Sequence, residues 1–425
     1  MKKSTASALP LALDGGPKAV THPFGTGRRF AGNELNYLKA ALEQNTLFYG
    51  FGTFVKKACD KMKAYTGLPF VVPCSSGSAA IHLGLIAAGI GPGDEVICTP
   101  NTDSGSVLGI IEEGAIPVFC DTDVTLQPTV QTVKARITRR TKAVLVVHLA
   151  GYPAPVDAIV RLCARRGIGV VEDCAQSWGA TLRGRLVGAF GLAGAYSIND
   201  FKHISTGDGG FVALRDETLY RRVSNYADKH YDRLFDQSQS GAHHGLNYRM
   251  SELQGAVALA QLEQVRAITA HHHKLGLLFE RLLKDLPGGR LTPVVPGGSS
   301  TYWWTLIRIE PRRLTAGRDK ILDALAAEGV PAGSYGKYDL IQKPVFQTRL
   351  VRPWLKGAAR FYPFVQPDGR STTYDYSALP VHRKLLDTAI MIRCFKQFYT
   401  EQNVRETAAG IRKVFAAFSR SKAVQ

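Results

Sequence analysis

The chain has 425 residues, of which 45% are apolar and 21% charged, a composition typical of globular proteins with two or three structural units. No apolar run reaches the roughly 20 residues of a membrane span, and the basic residues behind the net charge of +18 are dispersed, so we expect neither a membrane nor nucleic acid as a partner. A basic solvated surface is the favoured interpretation of this charge, and attraction of an anionic substrate such as a sugar phosphate or nucleotide sugar is the weaker one. Seven scattered cysteines without a CxxC pair argue against a disulfide framework and a zinc site, and they favour a cytoplasmic location.

Residues 1–30 are interpreted as a flexible N-terminal arm. Its run ALPLAL follows two lysines as in a signal peptide, but it is stopped by Asp14 and has no convincing cleavage site. Helical spacing of apolar residues then predicts one helix in GNELNYLKAALEQN and a second over 54–65. The turn FYGFGT between them contains Tyr49.

The segment PCSSGSAAIHLGLIAAG predicts a strand, a turn of small residues and a helix. In such a turn, Ser76, Gly77 and Ser78 let backbone N–H groups approach an anion at a helix N-terminus. Serines also cap many helices that bind nothing, so the turn alone does not establish a phosphate site. The glycine loop GIGPGDEV precedes a strand, which is not the order of a dinucleotide-binding fingerprint.

Apolar strands alternate with helices through the middle of the chain. The strands IPVFC, AVLVV and IGVV are separated by the helical stretches 128–137 and 155–166. This alternation of strands and helices is typical of a parallel sheet covered by helices on both faces, so we predict an α/β fold. Asp103 in TPNTDSGS and His148 in HLAGYP each follow a strand.

Polar groups concentrate between residues 173 and 202. Asp173 ends a buried strand, where open α/β sheets bind ligands, and a second apolar run leads to Ser197. Lys202 follows on the next loop. These are the parts needed to hold pyridoxal phosphate, because the lysine forms a Schiff base with the aldehyde and the acid keeps the ring nitrogen protonated. Taken singly, each residue favours a structural interpretation, Lys202 as a solvated lysine and Asp173 as a helix cap, and it is their combination with Ser197 that favours a cofactor site.

Three segments, VEDCAQSWGA, AYSINDFKHISTGDGG and HHGLNYRMSELQGAVALAQL, together resemble the DegT/StrS family of sugar aminotransferases. The likeness extends from about Leu11 to the C-terminal helix. It implies the fold type I architecture of pyridoxal phosphate enzymes: a mostly parallel seven-stranded sheet between helices, with GGFVAL antiparallel, and a smaller C-terminal α+β domain. A glycine-proline break at 287–300 places the large cofactor-binding domain at 31–285 and the small domain at 286–425.

The resemblance also implies roles for individual residues. Lys202 and Asp173 are catalytic, and the cofactor-binding set is Ser76, Gly77, Ser78, Asp103, Asp173, Gln176, Ser197, Lys202 and Asn247. Relatives have an aromatic residue over the cofactor ring at the position of Asp103, and their counterpart of Asn247 reaches the cofactor of the neighbouring subunit. The resemblance therefore implies a homodimer with shared sites.

Three further residues are weaker candidates for the substrate side of the site. Tyr49 corresponds to a segment that lies near the substrate in relatives, and Tyr335, like Tyr338, is a candidate for the pocket wall. His148 matches the family and is a candidate for the site floor, but a hydrogen-bonded core histidine is an equal interpretation. Asp103 and Asn247 are likewise open to interpretation as helix caps.

The implied activity is transfer of an amino group from glutamate or glutamine to a ketosugar or ketocyclitol. Two alternatives stay open: a dehydratase of the same family, in which histidine replaces the lysine, and a non-catalytic regulator with the same fold. Because His203 adjoins Lys202, a shift of one residue would favour the dehydratase. No metal is expected, since the adjacent His271, His272 and His273 fan apart on a helix.

Overall fold

The computed structural model of the protein describes residues 10–25 and 27–420, so most of the signal-like segment before Pro10 lies outside the described residues, whereas the last four residues of ALPLAL are described. The strands are β1 (Phe70–Cys74), β2 (Glu95–Cys98), β3 (Ile116–Phe119), β4 (Thr141–Val147), β5 (Gly169–Asp173), β6 (Thr181–Leu182), β7 (Arg185–Leu186), β8 (Ala193–Ser197), β9 (Gly210–Leu214), β10 (Gly289–Leu291), β11 (Gly298–Ser299), β12 (Thr305–Ile309), β13 (Ala332–Ser334) and β14 (Ala389–Ile392).

The helices are α1 (Glu34–Glu43), α2 (Phe54–Thr66), α3 (Gly77–Ala88), α4 (Gly105–Glu112), α5 (Val130–Lys134), α6 (Val156–Ala164), α7 (Glu217–Ala227), α8 (Glu252–Leu283), α9 (Arg318–Ala327), α10 (Pro344–Thr348), α11 (Pro380–Thr388) and α12 (Glu401–Ala417). None of the helices in the described part of the chain is long and apolar enough to cross a membrane.

The large sheet has seven strands in the order β1-β9-β8-β5-β4-β2-β3. Only β9 runs antiparallel to its neighbours, which confirms both the predicted fold class and the predicted direction of GGFVAL. Asp173 at the end of β5 is in register with Val147 of β4 and Ala195 of β8. The carboxyl ends of the parallel strands therefore meet at one edge of the sheet, as the ligand-binding edge of an α/β fold requires.

Helix α3 packs closely on this sheet and fixes the turn that precedes it. Nearly all of its residues are buried, and a Cβ on Gly84 would lie 2.8 Å from the side chain of Val171. The helix begins at the N-cap Ser76, whose hydroxyl accepts a hydrogen bond from the Ala79 N–H at 3.1 Å. It ends at Gly89, which has the left-handed backbone conformation (φ 66°) that favours glycine.

A second sheet, antiparallel throughout, has the order β10-β12-β14-β13, and all of its strands come after residue 288. Helix α8 connects the two halves, because it contacts α1 and α2 as well as α12. The described part of the N-terminal arm lies against the second half, where the N–H groups of Ala12 and Ala19 donate to the buried carboxylate of Glu328 at 2.8 and 2.9 Å. The domain boundary at 285/286 stays a prediction.

The predicted strand TYWWTLIRI is shorter in the structure, since β12 begins only at Thr305. Tyr302 has a positive φ of 46°, which no regular strand contains. The N–H groups of Thr301 and Trp303 donate instead to the carbonyls of Gly151 and Ala150, at 3.0 and 2.9 Å. This connection thus turns toward the large sheet before the chain enters the second one.

Candidate active site

A cavity of about 780 Å³ lies at the carboxyl edge of the large sheet, and residues of both halves of the chain line it. It brings together all of the predicted cofactor-binding residues except Asn247. These residues come from the turn before α3, from the start of α4, from the ends of β5 and β8, and from the loop after β8. The common edge of the parallel strands explains why segments so distant in sequence meet here.

Asp173 lies at the buried end of the cavity and is only 2% exposed. Its carboxylate accepts hydrogen bonds from the Ala175 N–H at 2.9 Å and from the Ser106 hydroxyl at 2.8 Å. Burial raises the pKa of Asp173, while these hydrogen bonds and the positive charge of Lys202 act in the opposite direction. The carboxylate is therefore fixed in place and lacks a full counter-charge.

Lys202 lies on the loop between β8 and β9, with its Nζ 4.4 Å from the centroid of the Trp303 ring. Burial lowers its pKa, and the nearby Asp173 and Asp103 oppose that shift. A lysine with a lowered pKa is more often neutral, which is the form that attacks a carbonyl.

His203, the neighbour of Lys202, is not among the described residues that line the cavity. Its buried ring packs against His272 with the ring centroids 4.7 Å apart. Lysine, and not histidine, is therefore the residue that the loop presents to the cavity.

The turn before α3 fits against Ser197 so closely that only glycine can occupy position 77. A Cβ on Gly77 would lie 2.4 Å from Cβ and 2.5 Å from Oγ of Ser197. The Ser197 hydroxyl accepts a hydrogen bond from the Asn199 N–H at 3.2 Å and lines the cavity beside Ser76 and Ser78. Small residues, a hydroxyl and a helix N-terminus make this corner a cradle for an anion.

Asp103 and Gln176 also line the cavity, and each makes one local hydrogen bond. The Asp103 carboxylate accepts from the Gly105 N–H at 2.9 Å, near the start of α4, while remaining exposed to the cavity. The Gln176 side-chain oxygen accepts from the Ala150 N–H at 2.9 Å. This leaves the amide nitrogen of Gln176 as its group available to a ligand.

Tyr49 and Asn247 lie together, away from the cavity of their own chain. The Tyr49 hydroxyl donates to Asp228 at 2.6 Å, and Asn247 forms a backbone bridge with the same residue. Asp228 also binds Arg233 and Arg249, at 2.6 and 3.0 Å. Asn247 is exposed, so its predicted contact with a cofactor phosphate requires a second copy of the chain.

His148 and Tyr335 are buried beneath the cavity and are not among the described residues that line it. Nδ1 of His148 accepts from the Ala154 N–H at 3.0 Å, so its Nε2 carries the proton and donates to Glu172 at 3.0 Å. Glu172 also accepts from three backbone N–H groups. Although His148, Glu172 and Cys174 cluster within 4.8 Å, these bonds indicate a hydrogen-bonded core histidine and not a metal ligand.

The second half of the chain supplies a wall that the sequence interpretation largely missed. Tyr338 stacks on Trp304 with the ring centroids 5.4 Å apart. Four cationic side chains stand on the same wall: Lys337, Lys343, Arg393 and Lys396. These residues are spread over about 60 positions without a motif, so no sequence signal groups them.

A family model described as the DegT/DnrJ/EryC1/StrS aminotransferase family matches residues 29–363. This chain belongs to that family. The L-glutamine:2-deoxy-scyllo-inosose aminotransferase of Streptomyces lividus is 29% identical over 426 residues, which cover 96% of this chain and 98% of that protein. The GDP-perosamine synthase of Caulobacter vibrioides is 32% identical over 328 residues, which cover 76% of this chain and 84% of that one. The crystal structure of an aminotransferase from Psychrobacter cryohalolentis matches with a TM-score of 0.80 at 26% identity, covering 93% of this chain and 100% of that one.

Pyridoxal phosphate is the cofactor of this DegT/StrS aminotransferase, and the residues of the cavity fit it. The cofactor needs an acid for its ring nitrogen, a cradle for its phosphate and an amine for its aldehyde. Asp173, the Gly77 turn and Lys202 have the chemistry of these three groups and would supply them, and all of them line one cavity. Membership of the family confirms the predicted enzyme class, whereas the roles of individual residues remain predictions.

We expect the substitution Gly77→Ala to weaken cofactor binding by at least about tenfold. The added methyl group would overlap Ser197, so the turn and the strand end must move apart by more than a side-chain adjustment allows. Equilibrium titration of the cofactor-free protein measures the affinity. Gly91→Ala is the matched control, because a Cβ there meets no atom within 4 Å. Equal cofactor affinity in the two variants would contradict the prediction that the turn at Gly77 binds the cofactor phosphate.

Proposed function

We propose that this aminotransferase moves the amino group of glutamate or glutamine to a ketosugar or ketocyclitol acceptor that carries phosphate groups. The relatives support the donor and the carbonyl acceptor, because their names include an L-glutamine:inosose aminotransferase and a synthase of a GDP-linked amino sugar. The observation that carries the choice of acceptor is the cationic wall formed by Lys337, Lys343, Arg393 and Lys396.

The residues of the large sheet have roles toward the cofactor and the donor. Bound pyridoxal phosphate supplies the aldehyde that takes up the amine and a ring that accepts electron density. Asp173 holds a proton on the ring nitrogen, and the turn at Gly77 with Ser197 holds the phosphate. Nζ of Lys202 takes the proton from the α-carbon of the donor as the general base. The aromatic wall of Trp303, Trp304 and Tyr338 keeps water from the reacting atoms.

The charge of the cavity changes sign from one wall to the other. The carboxylates that line it, Asp103, Asp173 and Asp208, all belong to the large-sheet half of the chain, as does Lys202, whereas the four other cations come from the second half. Partial burial lowers the pKa of Lys337, and the positive charges of Arg393 and Lys343 add to that effect, while the negative charge of Asp103 opposes it. Like charges this close are unfavourable until an anion joins them.

The number of cations exceeds what the donor requires. Glutamine brings one carboxylate and glutamate two, and the donor and acceptor occupy the same cavity in turn. An acceptor with one or two phosphate groups uses the whole wall, because arginine and lysine both bind phosphate oxygens. A neutral ketocyclitol would offer these cations no anionic group, and Asp103 alone would oppose their positive charge.

We expect a nucleotide-diphosphate ketosugar to be aminated at least about tenfold more efficiently, by kcat/KM, than an uncharged ketocyclitol. Arg393→Ala should raise KM for the phosphorylated acceptor by a similar factor and leave the neutral acceptor unaffected. The exposed Lys356 lies in the same half of the chain and is not a described lining residue, so Lys356→Ala is the control. A higher kcat/KM for the neutral ketocyclitol, or an Arg393→Ala variant that handles both acceptors normally, would contradict the proposal.

The proposed assembly is a homodimer in the cytoplasm, with Asn247 and Tyr49 completing the site of the neighbouring subunit. Support comes from three apolar side chains in the segment 35–51, which contains Tyr49: Leu35, Leu42 and Phe51 are 81, 61 and 78% exposed. All seven cysteines are buried and free, which fits a reducing compartment. A monomer in analytical ultracentrifugation at micromolar concentration would rule the assembly out.

A further inference from the structure

Three successive carbonyl groups of the lysine loop, those of Asp200, Phe201 and Lys202, are bound by side chains from other parts of the chain. The guanidinium of Arg29 donates to the carbonyls of Asp200 and Lys202. The indole N–H of Trp303 donates to the carbonyl between them, that of Phe201, at 2.8 Å. A loop that presents a reactive side chain is thus held at its backbone on both sides of that side chain.

Arg29 belongs to the N-terminal arm, and the second half of the chain holds it in place. The Gln397 side chain donates to the Arg29 carbonyl at 3.1 Å. Phe398 fills the space beside the preceding glycines, since a Cβ on Gly25 or Gly27 would lie 2.4 or 2.7 Å from it. The arm is therefore wedged between the lysine loop and the segment 397–398.

The same segment of the second half also reaches the cavity. Arg393 and Lys396, which stand on the cationic wall, lie within a few residues of Gln397. Trp303 connects the halves in a similar way, because its backbone N–H donates to Ala150 while its ring lies over Nζ of Lys202. Each of the two side chains that bind the loop is thus anchored outside it.

We propose that Arg29 and Trp303 are positioning residues that hold the backbone of 200–202, direct Nζ of Lys202 into the cavity and link the lysine loop to the acceptor-binding segment 393–398. This inference rests on the proposed role of Lys202. Arginine suits the position because its planar fork donates to two carbonyls at once, which the single ammonium of lysine does less well. Neither residue forms a bond with the substrate in this role.

The chain offers matched variants that separate this role from general stability. Arg28 is exposed and adjoins Arg29, so Arg28→Ala removes a neighbouring charge without touching the loop. Trp303→Phe keeps an aromatic side chain beside Nζ, but it removes the N–H group bound to Phe201 together with one of the two fused rings. Arg29→Lys keeps the positive charge but loses the planar guanidinium group that donates to two carbonyls at once.

Hydrogen exchange of the cofactor-free protein tests the positioning directly. The N–H groups of Ile198, Asp200, Lys202 and Thr206 are all bonded within the loop or to its flanking strand, so loosening the loop exposes them. We expect Arg29→Ala to speed their exchange on the order of tenfold, and Trp303→Phe by less, with Arg28→Ala unchanged. Exchange in Arg29→Ala at the rate of the Arg28→Ala control would overturn the proposal.

The kinetics and the absorbance of the cofactor-bound enzyme provide a second test of the positioning. In Arg29→Ala we expect kcat to fall by about tenfold with little change in the donor KM, and the pH at which the cofactor absorbance titrates to shift, with partial rescue in Arg29→Lys. A fall in kcat without a shift in the absorbance titration would indicate a structural role and reject positioning. If Lys202 were not the site lysine, Arg29→Ala would still speed the exchange but would change neither kcat nor the absorbance titration, so the two failures can be told apart.

Discussion

Lys202→Ala is expected to reduce turnover on the order of 10³-fold, and no cofactor should remain covalently attached. The lysine loop presents this amine to the cavity, and burial already lowers its pKa toward the neutral, reactive form. Alanine removes both the attachment point and the base that moves the donor's proton. Borohydride reduction of the loaded protein, followed by peptide mass spectrometry, should tag Lys202 in the wild type and nothing in the variant.

Three other lysines, Lys337, Lys343 and Lys396, also line the cavity, so they serve as internal controls for the specificity of the borohydride trapping. Trapping on any of these three in the wild-type protein would contradict the assignment of Lys202. Lys356→Ala, which changes an exposed lysine outside the described lining, should be tagged and active like the wild type.

Hybrids of two inactive variants test whether the site is shared between subunits. A Lys202→Ala chain keeps Asn247, and an Asn247→Ala chain keeps Lys202. If the two residues complete one site across the dimer, mixing the chains restores one intact site in each hybrid, so activity at limiting cofactor should recover. Without recovery, Asn247 acts within its own chain or not at all.

The large-sheet side of the site follows from sequence because the topology of a parallel sheet determines it. Asp173 and Ser197 end neighbouring parallel strands, and the turn at Gly77 follows another strand of the same sheet. Once these segments are recognised as strand ends, their meeting at one edge is a geometric consequence. His148 shows the limit of this argument, since it also follows a strand but turns into the core, where its hydrogen bonds to Glu172 and Ala154 hold it.

The opposite wall depends on how the second half of the chain packs, and local sequence carries no signal of that packing. Lys337 follows β13, whereas Arg393 and Lys396 follow β14, and because the two strands are antiparallel the chain leaves them at opposite ends. The turn at 335–338 and the segment after β14 must then both fold toward the cavity to bring these cations together. Arg29 is more distant still, since it meets Lys202 across 173 positions of sequence. The dispersed basic residues favoured a solvated surface over a site for an anionic substrate, and only tertiary contacts concentrate some of them at the cavity.

We expect Asp173→Asn to lower kcat roughly 10² to 10³-fold and, in the cofactor-free protein at pH 7, to raise the melting temperature. An asparagine cannot hold a positive charge on the ring nitrogen, which explains the lost activity. The effect on stability follows from burial, which places the pKa of Asp173 in the folded protein above its value of 3.8 in the unfolded chain. Between these two pKa values the folded state binds the proton more tightly, so the free energy of unfolding falls as the pH rises through that interval and stays lower above it.

Differential scanning calorimetry measures this effect, and the gain should disappear below about pH 3.8, where the carboxyl group is protonated in both states. Asp103→Asn is the matched control, because that carboxylate lines the same cavity but is exposed, so its removal relieves no burial. Added pyridoxal phosphate should reverse the order, since a positive ring nitrogen gives the buried carboxylate of the wild type its missing counter-charge. An Asp173→Asn protein that melts below the wild type at pH 7 without cofactor would mean that the bonds from Ala175 and Ser106 already compensate the buried charge. The buried carboxylate would then not destabilise the cofactor-free protein, and a positive ring nitrogen would not be needed to compensate its charge.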